Sequence, residues 1–204
     1  MELRDKERVL YEVAMNNYFG IEKYLTSPVN EGANICDQRG MTPLMVACSY
    51  GYYNMVSLLL KYGANVNAVC NNGFSALEYT TNKTEGINII WALINTGRLK
   101  GNYKEKLLRI ACVDNYLPIV EFVLKEGNVD LNRVNLIDRT VLMDACYYGY
   151  FEIVKFLVES GVNISFRNIY GVTAFDLAKT QEIKDVILSK KQFFIGKYER
   201  NLDF

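Results

Sequence analysis

The chain has 204 residues, with 23 basic side chains balanced by 23 acidic ones and no histidine. Balanced charge gives no overall field toward nucleic acid or an anionic membrane. The lack of histidine removes the commonest general base, the His-paired nucleophiles and every His-containing zinc site.

Half the residues are apolar and are spread along the chain, so burial is sufficient for a stable fold. The opening MELRDKERVLYE lacks the apolar core of a Sec-type signal peptide. No apolar stretch approaches the roughly 20 residues that span a bilayer. The five cysteines, Cys36, Cys48, Cys70, Cys112 and Cys146, form no C-x-x-C pair and suit a reducing compartment. Three of them follow Ala47, Ala111 and Ala145 directly, the mark of a small buried packing residue.

In chain order, residues 4–36 carry a weak pattern through Leu10, Val13, Ala14, Ile21, Leu25 and Gly32-Ala33-Asn34. Residues 37–69 give a full one. Asp37-Gln-Arg-Gly40 is a turn, Thr42 caps a helix begun by Pro43, and Leu44, Ala47 and Cys48 share one face. Gly51 ends that helix, and a second follows with Met55, Val56, Leu58 and Leu59 inward and Gly63 as its stop. Residues 70–103 repeat the pattern through Gly73, Ser75-Ala76-Leu77, Ile89-Ile90, Leu93 and Gly97, with one extra residue near Thr84–Ile87. Residues 104–134 keep two helices around Leu108, Ala111, Ile119-Val120 and Gly127 but have a shortened turn. Residues 135–167 match 37–69 closely, with Asp138 in place of the turn glycine. Residues 168–188 open a last repeat through Gly171 and Thr173-Ala174-Phe175. The final stretch, 189–204, interleaves Lys190, Lys191, Lys197 and Arg200 with Phe193, Phe194 and Tyr198. It is read as a packing cap over the end of the stack, as a partner-binding peptide, or as a nucleic-acid or membrane contact.

A period of about 33 residues means a stacked array, which presents a surface rather than enclosing a reaction. The run Thr42-Pro43-Leu44-Met45-Val46-Ala47 resembles the Thr-Pro-Leu-His-x-Ala signature of the ankyrin repeat, with Met45 in place of the histidine. The resemblance covers about residues 4–188. It implies an all-α solenoid of about six helix-turn-helix repeats with hairpin-like fingers in a single domain, the first and last repeats serving as caps. It also implies a protein partner held in the concave groove, on the finger tips and the exposed side of each first helix. Carried over residue by residue, that groove is Arg39, Met41, Tyr50, Phe74, Lys83, Ile137, Arg139, Tyr147, Tyr148 and Tyr170.

Leu136, Ile137, Tyr147, Tyr148, Ile169 and Tyr170 are apolar or aromatic where exposed tips are ordinarily polar, which points to an interface. Leu136 and Ile169 are the two expected to pack against a neighbouring finger instead. Trp91 is assigned to packing among second helices. Asp144 and Asp176 are expected to be solvated carboxylates on helix surfaces, and no phosphate-binding glycine loop occurs. The expected function is therefore non-catalytic protein binding by a cytoplasmic monomer, a scaffold or regulatory module with no cofactor, metal, small-molecule substrate, nucleic acid or membrane. The alternative is an exported effector or regulatory subunit using the same groove on another protein, with an enzyme or nucleic-acid binder on the same fold ranked below it.

Overall fold

Thr42 adopts an extended backbone and its hydroxyl accepts from the Met45 N–H at 3.3 Å, so the following helix starts with a satisfied donor. Pro43 takes the first helical position, where no N–H is needed. Gly51, at φ 73°, closes the helix after two turns by donating to the Ala47 and Cys48 carbonyls. Thr140 and Gly149 do the same work 98 residues later. The sequence cues thus set the helix ends where they were expected.

The computed structural model describes residues 3–28, 32–80 and 85–199, with side chains between residues 6 and 190. Among these it is all-helical, with one isolated bridge between Val69 and Ser75. The chain divides into two compact units, Met1–Tyr103 and Lys104–Phe204.

In the first unit the helices are α1 (Leu3–Ala14), α2 (Tyr18–Thr26), α3 (Pro43–Tyr50), α4 (Tyr53–Lys61) and α5 (Gly86–Asn95). The third repeat has no full first helix. Glu78–Thr80 forms only a 3-10 turn, with the Glu78 carboxylate bound to both N–H and hydroxyl of Ser75. Thr80 is fully buried and its hydroxyl donates back to the Leu77 carbonyl at 2.7 Å, a local bond that competes with helix continuation.

The second unit contains α6 (Tyr103–Asp114), α7 (Leu117–Glu126), α8 (Val141–Tyr148), α9 (Phe151–Glu159), α10 (Ala174–Leu177) and α11 (Gln181–Glu199). Where the fourth repeat lacks a finger, α6 is longer: it runs 12 residues against 8 in α3 and α8. Lys104, in its first turn, donates to the Gly127 carbonyl at 3.2 Å. The last first-helix, α10, is a single turn held by a capping box in which Thr173 and Asp176 bond reciprocally.

The core is a repeated layer of small and branched side chains. Ala47, Cys48, Ala111, Cys112, Ala145 and Cys146 are all fully buried, between inward faces such as Met55, Val56 and Leu59 or Ile153, Val154 and Leu157. Burial pushes the Cys146 thiol up to about 12 and raises Cys48 and Cys112 further, so these thiols are inert packing groups. Trp91 lies half-buried on α5, a second helix.

Neighbouring repeats are tied by side-chain amides at the repeat spacing. Asn34 Oδ1 accepts from the Asn65 N–H, Asn67 Oδ1 from the Lys100 N–H, and Asn132 Oδ1 from the Asn163 N–H, at 2.6, 2.9 and 2.8 Å. Tyrosines add a second tie. Tyr52 donates to the Ala14 carbonyl and Tyr150 to the Val113 carbonyl, at 3.3 and 3.2 Å.

Candidate interaction surface

Three fingers, those of the second, fifth and sixth repeats, turn on an Asx residue. Asp37 Oδ1 accepts from the N–H groups of Arg39 and Met41, Asn135 Oδ1 from those of Ile137 and Arg139, and Asn168 Oδ1 from those of Tyr170 and Val172, all between 2.8 and 3.0 Å. This fixes the finger backbone and turns the next two side chains outward. In the third repeat the slot holds Cys70, whose Sγ lies 3.4 Å from the Tyr79 hydroxyl, and that contact holds the thiol below its usual range.

The turn position needs a positive φ. Gly40 supplies it at 74°, and a Cβ there would sit 3.0 Å from Asn71 Oδ1 and 3.2 Å from Cys70 Cα. Asp138 takes the same conformation at φ 55° with a side chain present. Its Oδ2 accepts from the Ile169 N–H at 2.6 Å, fastening the fifth finger to the sixth. In the first unit the Asn71 N–H is instead received by the Arg39 carbonyl at 2.9 Å. Asp138 thus trades some backbone ease for an inter-finger bond.

The outcome for the expected groove residues is uneven. Arg39, Tyr50 and Phe74 are exposed in the first unit, and Met41 is half-buried. Arg39 and Met41 border a cleft of about 610 Å³ with Tyr11, Val46, Ser49 and Tyr50. Phe74 meets Tyr79 edge-on at 6.1 Å. Lys83 lies outside the described residues.

In the second unit Ile137, Tyr147, Tyr148 and Tyr170 are exposed and Arg139 is half-buried. Leu136 and Ile169 do not pack as expected: they are 104% and 77% exposed, because the inter-finger tie uses backbone and the Asp138 carboxylate rather than apolar contact. Tyr148 stacks on Tyr150 at 5.6 Å and 16°, as Tyr50 stacks on Tyr52 at 5.4 Å and 13°. Part of each of these two exposed rings is therefore engaged within the fold. Tyr147 lies edge-on to Tyr148 at 5.2 Å, and the Arg139 guanidinium sits 4.6 Å from its ring centre.

Asp144 corrects an expectation. It is 4% exposed, not a solvated surface carboxylate. Arg109 Nη1 donates to Asp144 Oδ2 at 2.9 Å and to the Arg139 carbonyl at 3.3 Å, while Nη2 donates to the Arg133 carbonyl at 2.8 Å. Burial raises the Asp144 pKa, with Arg109 and Arg139 pulling against it. The pair props the base of the fifth finger. Asp176 is exposed, as expected, and its bonds with Thr173 hold its carboxyl below the usual range.

Among the described residues no helix is long and apolar enough to cross a membrane, and no group of three or more Cys, Asp or Glu is placed to hold a metal. The geometry is that of paired helices with outward fingers, a class of fold that offers a side-chain surface. The family described as ankyrin repeats in three copies matches residues 10–104 and 85–168, and the chain belongs to the ankyrin-repeat family. It is similar to alpha-latrotoxin-Lg1a of Latrodectus geometricus, 29% identical over 94% of this chain and 14% of that protein. It is also similar to the ankyrin repeat protein OPG189 of Monkeypox virus, 26% identical over 79% of this chain and 29% of that protein. The chain thus spans less than a third of these two relatives. An ankyrin repeat domain from Acinetobacter baumannii AYE shares the fold with a TM-score of 0.72 and 24% identity, covering 90% of this chain and 97% of that one. Ankyrin repeats are in general protein-interaction modules.

Proposed function

We propose that this chain binds a protein partner on the finger tips and first-helix faces of the second unit and performs no chemistry of its own. The observation carrying this reading is one apolar cluster on two adjoining fingers: Leu136, Ile137, Ile169 and Tyr170 are 104%, 61%, 77% and 78% exposed. Exposed apolar side chains gathered on a fixed backbone are a cost in water unless a partner covers them. Tyr147, Tyr148 and half-buried Arg139 continue the surface along α8 with residue types that dominate binding energy. In the first unit Arg39, Met41, Tyr50 and Phe74 provide a second, more polar contact area. The protein works as a monomeric scaffold or regulatory module in a reducing cytoplasm, where five unpaired thiols persist.

The test is affinity capture from source-cell extract with the native chain and with Leu136→Ser/Tyr170→Ala. A specific partner lost from the variant, at unchanged melting temperature, supports the reading. Identical captures from both would overturn it.

A second reading has one observation in its favour. The likeness to a spider toxin extends over nearly the whole chain, which suits a module that acts on another organism's protein through the same surface. Capture from foreign rather than source-cell extract distinguishes the two.

A further inference from the structure

Two arginines stand near the fingers in different electrostatic conditions. In the second repeat Arg39 Nε donates to Asp37 Oδ2 at 3.1 Å, so the finger supplies its own counter-charge. In the fifth repeat the slot of Asp37 is taken by neutral Asn135, and the arginine has moved two places along, to Arg139. Its guanidinium lies over the Tyr147 ring, 4.6 Å from the centroid. Asp144, whose charge Arg139 influences, is already engaged by Arg109 at 2.9 Å and Asn135 Nδ2 at 3.4 Å. Arg139 lowers the Asp144 pKa from a distance without forming an ion pair with it.

Arg139 is therefore a half-buried planar donor, oriented by an aromatic ring, with no acceptor for its fork among the described residues. Such a group matches a carboxylate bidentately, and the orientation supplied by Tyr147 reduces the entropy lost on binding. The surrounding charge has the same sign. Residues 130–140 and 167–173 carry Arg133, Arg139 and Arg167 against Asp130 and Asp138, and Asp138 receives the Ile169 N–H. Beside this cationic edge lie the apolar Leu136, Ile137, Ile169 and Tyr170.

Resting on the interface reading above, we infer that this surface takes a peptide segment of the partner in which an acidic side chain stands next to apolar ones. The carboxylate is seated on Arg139, and the apolar side chains lie against the finger tips.

Selection of a random twelve-residue peptide library on the full chain tests this, followed by anisotropy titration of one selected peptide. The expected selectants carry Asp or Glu beside aliphatic or aromatic residues. Replacing that acid by its amide should weaken binding to the native chain about tenfold. It should change affinity for Arg139→Gln less than about twofold, and Arg139→Lys should fall between the two because it keeps charge but loses the fork. Melting temperatures verify that the variants fold. Neutral or basic selectants whose binding is lost in Tyr170→Ser would overturn the acidic-peptide inference and leave the interface standing. So would an acid-to-amide cost that is equal on the native chain and Arg139→Gln. No selectants, or binding indifferent to Tyr170→Ser, would sink both.

Discussion

Removing Arg109 while leaving Asp144 in place is the most informative perturbation of the scaffold. In Arg109→Met the side chain keeps an apolar stem but loses all three bonds made by the guanidinium, to Asp144, the Arg139 carbonyl and the Arg133 carbonyl. Asp144, with its side chain 6% exposed, keeps only a long side-chain bond from Asn135 Nδ2 at 3.4 Å among the described residues. Breaking a buried pair by removing one member typically costs about 3–5 kcal/mol. Arg109 is 25% exposed, which allows water to reach the vacated side and places the expected loss near the lower end, about 3 kcal/mol. Domain stabilities are about 5–15 kcal/mol, so the loss is a large share of the whole.

The pH dependence gives the sharper test. Burial already raises the Asp144 pKa, and removing Arg109 removes the first of the groups opposing that rise. A carboxyl whose folded pKa exceeds its unfolded value favours the folded state most fully below the unfolded pKa. That contribution is lost as pH rises through the folded pKa. The deficit of Arg109→Met is therefore largest at neutral pH and shrinks as pH falls toward about 4, where the carboxyl is neutral in both states. Urea melts at pH 7.5 and pH 5 measure this. Arg109→Met/Asp144→Leu, which removes both charges, should recover most of the stability. A single-variant deficit below about 1 kcal/mol, or one that grows on acidification, would refute the argument that an unpaired buried carboxylate is the cause.

Other outcomes follow from the same geometry. At the fifth finger, Asp138→Gly should be nearly neutral because relief of the left-handed backbone offsets the lost Ile169 bond, whereas Asp138→Ala loses the bond and keeps the strain, lowering stability by about 1–3 kcal/mol; equal melting temperatures would show that the bond is not felt. A thiol reagent should label Cys36 first in the native state and Cys70 next, with Cys48, Cys112 and Cys146 reacting only on unfolding. Fast native labelling of all five would contradict the packing role. Thr173→Ala opens the capping box of a four-residue helix and should cost about 1 kcal/mol, read as faster hydrogen exchange across α10 and α11; unchanged exchange would mean that packing alone holds the last repeat.

The helix framework was legible because its signals are local. Thr42, Pro43 and Gly51 act within one helix, and Thr140 and Gly149 repeat the message, so ends and inward faces could be read from spacing. The third repeat was less legible. Ser75-Ala76-Leu77 announces a first helix, but Thr80 bonds back to its own turn and the segment stops at a 3-10 turn. Asp144 was misplaced for a different reason. Its partner Arg109 is 35 residues away, and helical periodicity alone cannot distinguish an outward carboxylate from one that meets an arginine of the preceding repeat. The repeated asparagines carried a usable signal that went unread. Asn34, Asn67, Asn132 and Asn163 recur near the end of the first, second, fourth and fifth repeats, and three of them accept a backbone N–H from the next.

The surface is best understood by comparing matched slots of two nearly identical repeats. Between residues 37–52 and 135–150, the slots of Thr42, Leu44, Met45, Ala47, Cys48, Tyr50, Gly51 and Tyr52 hold the same residue types, and each has a cap, core or stacking duty. Eight slots differ: Asp37 and Asn135, Gly40 and Asp138, Pro43 and Val141, and Val46 and Asp144 do so at turn, cap or inter-repeat positions, and the other four are Gln38 and Leu136, Arg39 and Ile137, Met41 and Arg139, and Ser49 and Tyr147. These last four lie on the finger and the exposed end of the first helix, where fold stability imposes little. A repeat array keeps one framework and varies the surface it carries, so the chemistry of recognition should reside in such differences. Here they convert a finger whose arginine is neutralised by its own aspartate into an apolar finger beside an arginine without a counter-charge. If the two surfaces bound the same feature, Ile137→Arg with Arg139→Met, which copies the second repeat into the fifth, would leave partner affinity unchanged. The loss expected from that exchange, at least about 2 kcal/mol for a true hot spot, would show that the two fingers, built on the same frame, recognise different things.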